Sequence, residues 1–67
     1  MNKLVEYDLY KHPNGLLYRV PLHSPLHVTA EYYSKHWQWW LPSVRTVGRV
    51  ISSSRSTLVA RNVVFKD

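Results

Sequence analysis

Apolar and polar positions alternate from Val5 onward: Val5, Tyr7 and Leu9 on one side, Glu6, Asp8 and Tyr10 on the other. Period two is the pattern of a half-buried strand. His12-Pro13-Asn14-Gly15 follows, and proline before Asn-Gly is strong turn chemistry. The returning run places Leu16, Tyr18, Val20 and Leu22 on one face and Leu17, Arg19 and Pro21 on the other. Residues 3–22 are therefore predicted to form a β-hairpin. A four-residue loop over 12–15 pairs Leu9 with Tyr18, Tyr7 with Val20 and Val5 with Leu22, and sets Asp8 opposite Arg19 as a favourable cross-strand ion pair. A three-residue loop would oppose Leu9 to Arg19 and mix the faces, as any one-residue slip does, so the four-residue loop is expected. Pro21 has no donor N–H, which predicts an edge position there.

A helix is expected next. Ser24-Pro25 suits an N-cap followed by proline at the first helical position, and Thr29 with Glu31 offers a later start. Pro42 ends it, because the residue before a proline avoids helical geometry. The span is 25–41, or 29–41 with the later cap. At 100° per residue, Leu26, Ala30, Tyr33, Trp37, Trp40 and Leu41 fall on one arc and form the expected core stripe. Glu31, Ser34, Lys35 and Gln38 fall opposite and are expected to be solvated. Tyr32, His36 and Trp39 make a separate aromatic ridge along one flank at i, i+4 and i+7.

Residues 44–66 are rich in Val, Ile and Thr, as strands are. The polar stretch Ser52–Thr57 reads as the loop of a second hairpin. Centring it on Ser54-Arg55 pairs Val44 with Phe65, Thr46 with Val63 and Val50 with Val59, and puts Arg45 and Arg49 on one shared face. Arg61 then falls on the inner face, so the register is open by one residue. The expected fold is a single α+β domain over residues 1–67, in the order β-β-α-β-β, with antiparallel hairpins packed on one aromatic-rich helix.

Sixty-seven residues lie near the lower limit for a chain that folds without staples. Cysteine is absent, so disulfides and thiolate metal sites are excluded. Three Trp, five Tyr and one Phe supply large buried areas instead. No apolar run approaches the roughly 20 residues of a membrane span. The N-terminus carries acids where a signal peptide needs an apolar stretch. A cytoplasmic setting is the expectation.

Catalysis finds little support. The four acids are Glu6, Asp8, Glu31 and Asp67; Glu6 and Asp8 share the outer face of a terminal hairpin, where no enclosed pocket is expected. No serine lies in a nucleophile-elbow or Ser-x-x-Lys context. A non-enzymatic protein without cofactor or small-molecule substrate is expected. Among His12, His23, His27 and His36, only His23 and His27 have a zinc-like spacing, and Pro25 between them takes His23 out of the helix. No metal site is expected.

The net charge of +5 changes the picture, because it favours polyanionic partners. Arg45, Arg49, Arg55, Arg61 and Lys66 carry five of the nine positive charges and all belong to the expected second hairpin. Guanidinium groups grip phosphates and carboxylates bidentately, and a two-stranded ribbon can enter a major groove. Two binding functions follow. In the first, the Arg-rich hairpin grips nucleic-acid phosphates while Tyr32, His36 and Trp39 stack on bases. In the second, the chain is a small regulator or inhibitor, of the phage or plasmid accessory kind, that docks on an acidic protein surface through Trp, Tyr and Arg anchors. Edge strands or the aromatic ridge also offer a surface for a homodimer.

Overall fold

The computed structural model describes the backbone of residues 4–66 and the side chains of residues 5–65. Five strands and one short helix follow in chain order: β1 Leu4–Lys11, β2 Leu17–Pro21, β3 Thr29–Ser34, β4 Trp39–Thr46, α1 Val47–Ser52 and β5 Thr57–Lys66. They form one antiparallel sheet in the order β4-β3-β2-β1-β5, so the chain meanders through four strands and then crosses to add β5 beside β1. Residue 3 of the expected first hairpin, the Lys66 side chain and Asp67 lie outside the described residues.

The first hairpin forms, but in the register that mixes faces. Leu9 opposes Arg19 and Asp8 opposes Val20, so the expected Asp8–Arg19 pair does not exist. The turn explains why. Gly15 N–H donates to the His12 carbonyl at 2.9 Å, His12 N–H donates to Leu16 O at 3.0 Å, and Asn14 Oδ1 accepts from Leu16 N–H at 2.8 Å. Pro13-Asn14-Gly15 thus make a three-residue loop, with Gly15 at φ 89° in the left-handed region that glycine enters without penalty. Pro21 ends a central strand, yet β3 pairs with β2 only at Tyr18 and Arg19, so nothing there needs its missing N–H.

The helix expected over 25–41 is a β-hairpin. Tyr32 opposes Leu41, Tyr33 opposes Trp40 and Ser34 opposes Trp39, around a turn of residues 35–38 in which Gln38 adopts φ 54°. Aromatic side chains prefer a pleated surface to a helix, and five of the residues from 32 to 40 are Tyr or Trp. Pro42 sits inside β4, which is tolerated because β4 is an edge strand. The predicted core stripe fails accordingly. Ala30 and Trp40 are buried, whereas Leu26 is exposed and Trp37 is 68% exposed. Ser34 and Glu31, expected in solvent, are buried and half-buried.

The second hairpin expected over 44–66 is also absent: Val47–Ser52 is helical, and only β5 is strand. The helix is short but well held. Thr46 Oγ1 accepts from Arg49 N–H at 3.2 Å, while Val47 and Gly48 N–H groups donate to the carbonyls of Val28 and Leu26 at 2.7 and 2.9 Å. Three otherwise orphaned donors are satisfied in this way. Gly48 permits the approach, since a Cβ there would stand 3.2 Å from the Leu26 carbonyl oxygen. Val47 and Val50 turn inward onto Tyr18, Val20 and Ala30, with Tyr10, Leu16 and Tyr32 at the border. This is the apolar core, on one face of the sheet.

The opposite face closes around an arginine. Cross-strand partners share a face, which places Tyr7, Arg19, Glu31, Tyr33 and Trp40 together. Arg19 is only 9% exposed, and its guanidinium lies 4.3 Å from the Tyr7 ring centroid, 4.9 Å from Trp40 and 5.0 Å from Phe65. Its Nε donates to Glu31 Oε1 at 2.7 Å. Trp40 belongs to one edge strand and Phe65 to the other, yet their rings meet edge-to-face at 5.6 Å. The sheet therefore curls until its two margins touch across Arg19.

Bulges supply that curl. In β5, Arg61 and Asn62 together face Asp8, and a second shift falls near Val59. Asn62 has φ 55°; its N–H donates to Asp8 Oδ1 at 3.0 Å and its Nδ2 to Glu6 Oε1 at 3.3 Å. In β4 the register shifts opposite Ala30, where the Ser43 hydroxyl donates to the Ala30 carbonyl at 2.7 Å. Bulges and Pro42 thus interrupt both edges, the devices by which sheets discourage strand addition.

Candidate functional site

Antiparallel pairing brings distant segments to one end of the sheet. Lys11 opposes Leu17 across the β1–β2 turn and Thr57 at the start of β5. Ser34 opposes Trp39 across the β3–β4 turn, and β3 runs beside β2. The β1–β2 turn, the β3–β4 turn and the α1–β5 loop (residues 53–56) consequently share this end. The β2–β3 loop (22–28) and the last residues of β4 lie at the other.

Between the two turns runs an open groove of about 630 Å³, lined among others by Lys11, Leu16, Tyr32, Tyr33, Lys35 and His36. Its surface is mainly apolar, and its lining residues include two lysines and no carboxylate. Beyond the rim stand Trp37 and Trp39, 68% and 62% exposed. The Trp37 ring meets His36 edge-to-face at 4.9 Å, which ties the exposed indole to the groove wall.

Among the described residues, this end carries cations and no carboxylate. Lys11, Lys35 and Arg55 belong to this end and are exposed. The acids of the described residues are engaged elsewhere: Glu31 holds Arg19, while Glu6 and Asp8 hold the Asn62 bulge. Asp8, expected to face Arg19, instead accepts from the backbone of β5, and Glu6 accepts from the Asn62 side chain.

The residues singled out from sequence are scattered. Arg55 lies at the groove end, in the loop before β5. Arg45 lies near the end of β4 at the opposite pole, Arg49 is exposed on α1, and Arg61 is exposed at the β5 bulge. Arg45 and Arg49 therefore share no strand face, and no two-stranded Arg-rich ribbon exists. Lys66 opposes Leu4 at the pole remote from the groove. The aromatic ridge is rearranged as well. Tyr32 borders the core, Trp39 projects outward from β4, and His36 packs on Trp37 in the turn.

Lys11, Lys35 and Trp37 were not in the sequence-derived set. The signal for Lys35 and Trp37 is a turn, Ser34-Lys35-His36-Trp37-Gln38, hidden inside a segment expected as helix, while Lys11 directly precedes the His12–Gly15 turn. His12 and His36 stand in the two turns, and His23 and His27 in the β2–β3 loop. No group of three or more His, Asp or Glu side chains gathers at metal-binding distance among the described residues. No helix among them is long and apolar enough to cross a membrane.

Compared with known proteins, the chain matches no family model, no curated protein and no solved structure.

Proposed function

We infer that the chain is a non-catalytic nucleic-acid-binding protein whose contact surface is the groove end of the sheet. The observation that carries this reading is a cationic end of the sheet without a carboxylate among the described residues. Lys11, Lys35 and Arg55 stand there with exposed tryptophans, while every acid of the described residues is bound to a partner elsewhere. A cationic surface free of carboxylates draws phosphates and releases their counterions, and exposed indoles give bases a surface to stack on.

The test is the salt dependence of binding to a labelled oligonucleotide. Affinity is expected to fall linearly in log salt, and Lys11→Gln, Lys35→Gln and Arg55→Gln are each expected to reduce the slope by about 1 or slightly less. Arg49→Gln and Arg61→Gln, exposed but away from the groove, should leave the slope nearly unchanged. A flat salt response, or no binding at low salt, overturns the reading.

A second reading draws on the same exposed Trp37 and Trp39, because tryptophan is enriched at protein hot spots. There the chain is a small regulator anchored on an acidic partner protein. It predicts binding to a protein partner whose off-rate rises when either indole is truncated, with milder salt dependence.

A further inference from the structure

We propose that the ligand of the groove end is single-stranded, with one unpaired base entering the groove and a neighbouring base stacking on Trp37. The proposal rests on the nucleic-acid reading above and narrows it.

The groove has the form of a nucleotide site. Its volume of about 630 Å³ falls inside the range of roughly 300–1,000 Å³ typical of small-ligand pockets. Leu16, Tyr32, Tyr33, Lys11 and Lys35 are among its lining residues, so apolar and aromatic residues suited to a base and ammonium groups suited to its phosphates occur together. A duplex offers its phosphates and base edges but hides the base faces, so these aromatic surfaces would go unused.

Among the described residues, the helix is too short and too committed to the core to read a duplex. A helix or a two-stranded ribbon must project to enter a major groove. Here α1 has six residues, with Val47 and Val50 committed to the core. The hairpin tips at the groove end are turns of three and four residues. Two short tips flanking a cleft suit a flexible strand threaded between them. The exposed indole of Trp37, in contact with the His36 ring on the groove wall, continues the stacking surface beyond it.

The experiment measures fluorescence anisotropy of oligo-dT and oligo-rU of about 12 nucleotides, near the site size of single-strand binders, and of a hairpin duplex with the same total number of phosphates. Inorganic polyphosphate serves as a competitor without bases. At least one of the two single strands is expected to bind about tenfold or more tightly than the duplex, and the tighter of the two names the sugar. Trp37→Ala is expected to weaken single-strand binding by roughly 5- to 100-fold, the range of one lost base stack, while polyphosphate competition changes less than about twofold. Circular dichroism checks that the variant remains folded, as the exposure of Trp37 leads one to expect. Equal binding of duplex and single strands with a steep salt response overturns the single-strand proposal and leaves the phosphate-gripping reading intact. Unchanged single-strand affinity in Trp37→Ala overturns the stacking role. Failure to bind any of the four polyanions overturns both readings.

Discussion

Trp40→Ala is expected to cost about 3–5 kcal/mol, the usual loss for an aromatic removed from a core. Stabilities of small domains start near 5 kcal/mol, so much of the variant should be unfolded at physiological temperature. Trp40 is 7% exposed and touches three partners: the Tyr33 ring at 5.4 Å, the Phe65 ring at 5.6 Å and the Arg19 guanidinium at 4.9 Å. Removing it opens the seam where the two sheet margins meet. Trp37→Ala and Trp39→Ala, exposed in the turn and at the start of β4, should each stay within about 0.5 kcal/mol of the parent. Urea denaturation followed by circular dichroism separates the three. A loss for Trp37→Ala equal to that for Trp40→Ala would contradict the strand assignment.

The second large effect belongs to the buried ion pair. The Arg19 side chain is 11% exposed and that of Glu31 is 36% exposed, so solvent screens one partner and spares the other. Breaking a buried pair leaves an uncompensated charge and costs 3–5 kcal/mol when both groups are dry. With Glu31 partly wet, Glu31→Ala should cost about 2–3 kcal/mol after that discount. Arg19→Met keeps most of the apolar stem but loses the ion pair and the attraction of three rings; it should cost a similar amount, about 2 kcal/mol. The double variant should be less destabilised than the sum of the two by more than about 1 kcal/mol, because neither charge is then stranded. A coupling under about 0.5 kcal/mol, the range of exposed pairs, would mean that the aromatic cradle does not close over Arg19.

That cradle also shows where sequence reasoning stops. Alternation over Val5–Tyr10 and the Pro-Asn-Gly turn identified β1, β2 and their connection, and the β-branched run after Thr57 identified β5. The hairpin's local sequence favours the wrong register, because Asp8 opposite Arg19 is a favourable pair when the hairpin is taken alone. The partner that shelters Arg19 is Glu31 on the next strand, outside the hairpin, and a contact to a third strand leaves no trace in the hairpin itself.

Residues 29–41 mimic a helix for a related reason. Period-two alternation marks a sheet with one wet face. Here the core covers one face and the Arg19 cluster the other, so Tyr32-Tyr33 and Trp39-Trp40 are adjacent aromatics pointing opposite ways. Without alternation, the 100° projection gathered Ala30, Tyr33, Trp37 and Trp40 onto a helical arc by coincidence. The real helix has six residues, three of them β-branched, and is too short for its 3.6-residue period to show. Its local signals were Thr46 as N-cap and Val47 with Val50 at i, i+3. The site was legible only in fragments: Arg55 in a loop and an exposed Trp39. Lys11, Lys35 and Trp37 join them through the topology, which places three connections at one end.

The most direct test of this account is a chemical-shift titration of the ¹⁵N-labelled protein with unlabelled oligo-dT at low salt. The predicted result is a set of perturbations confined to Lys11–Leu16, Ser34–Trp39 and Ser53–Thr57, including the indole N–H signals of Trp37 and Trp39 but not that of buried Trp40. Perturbations centred on Arg45, Arg49 and the β2–β3 loop, with the groove end silent, would contradict it.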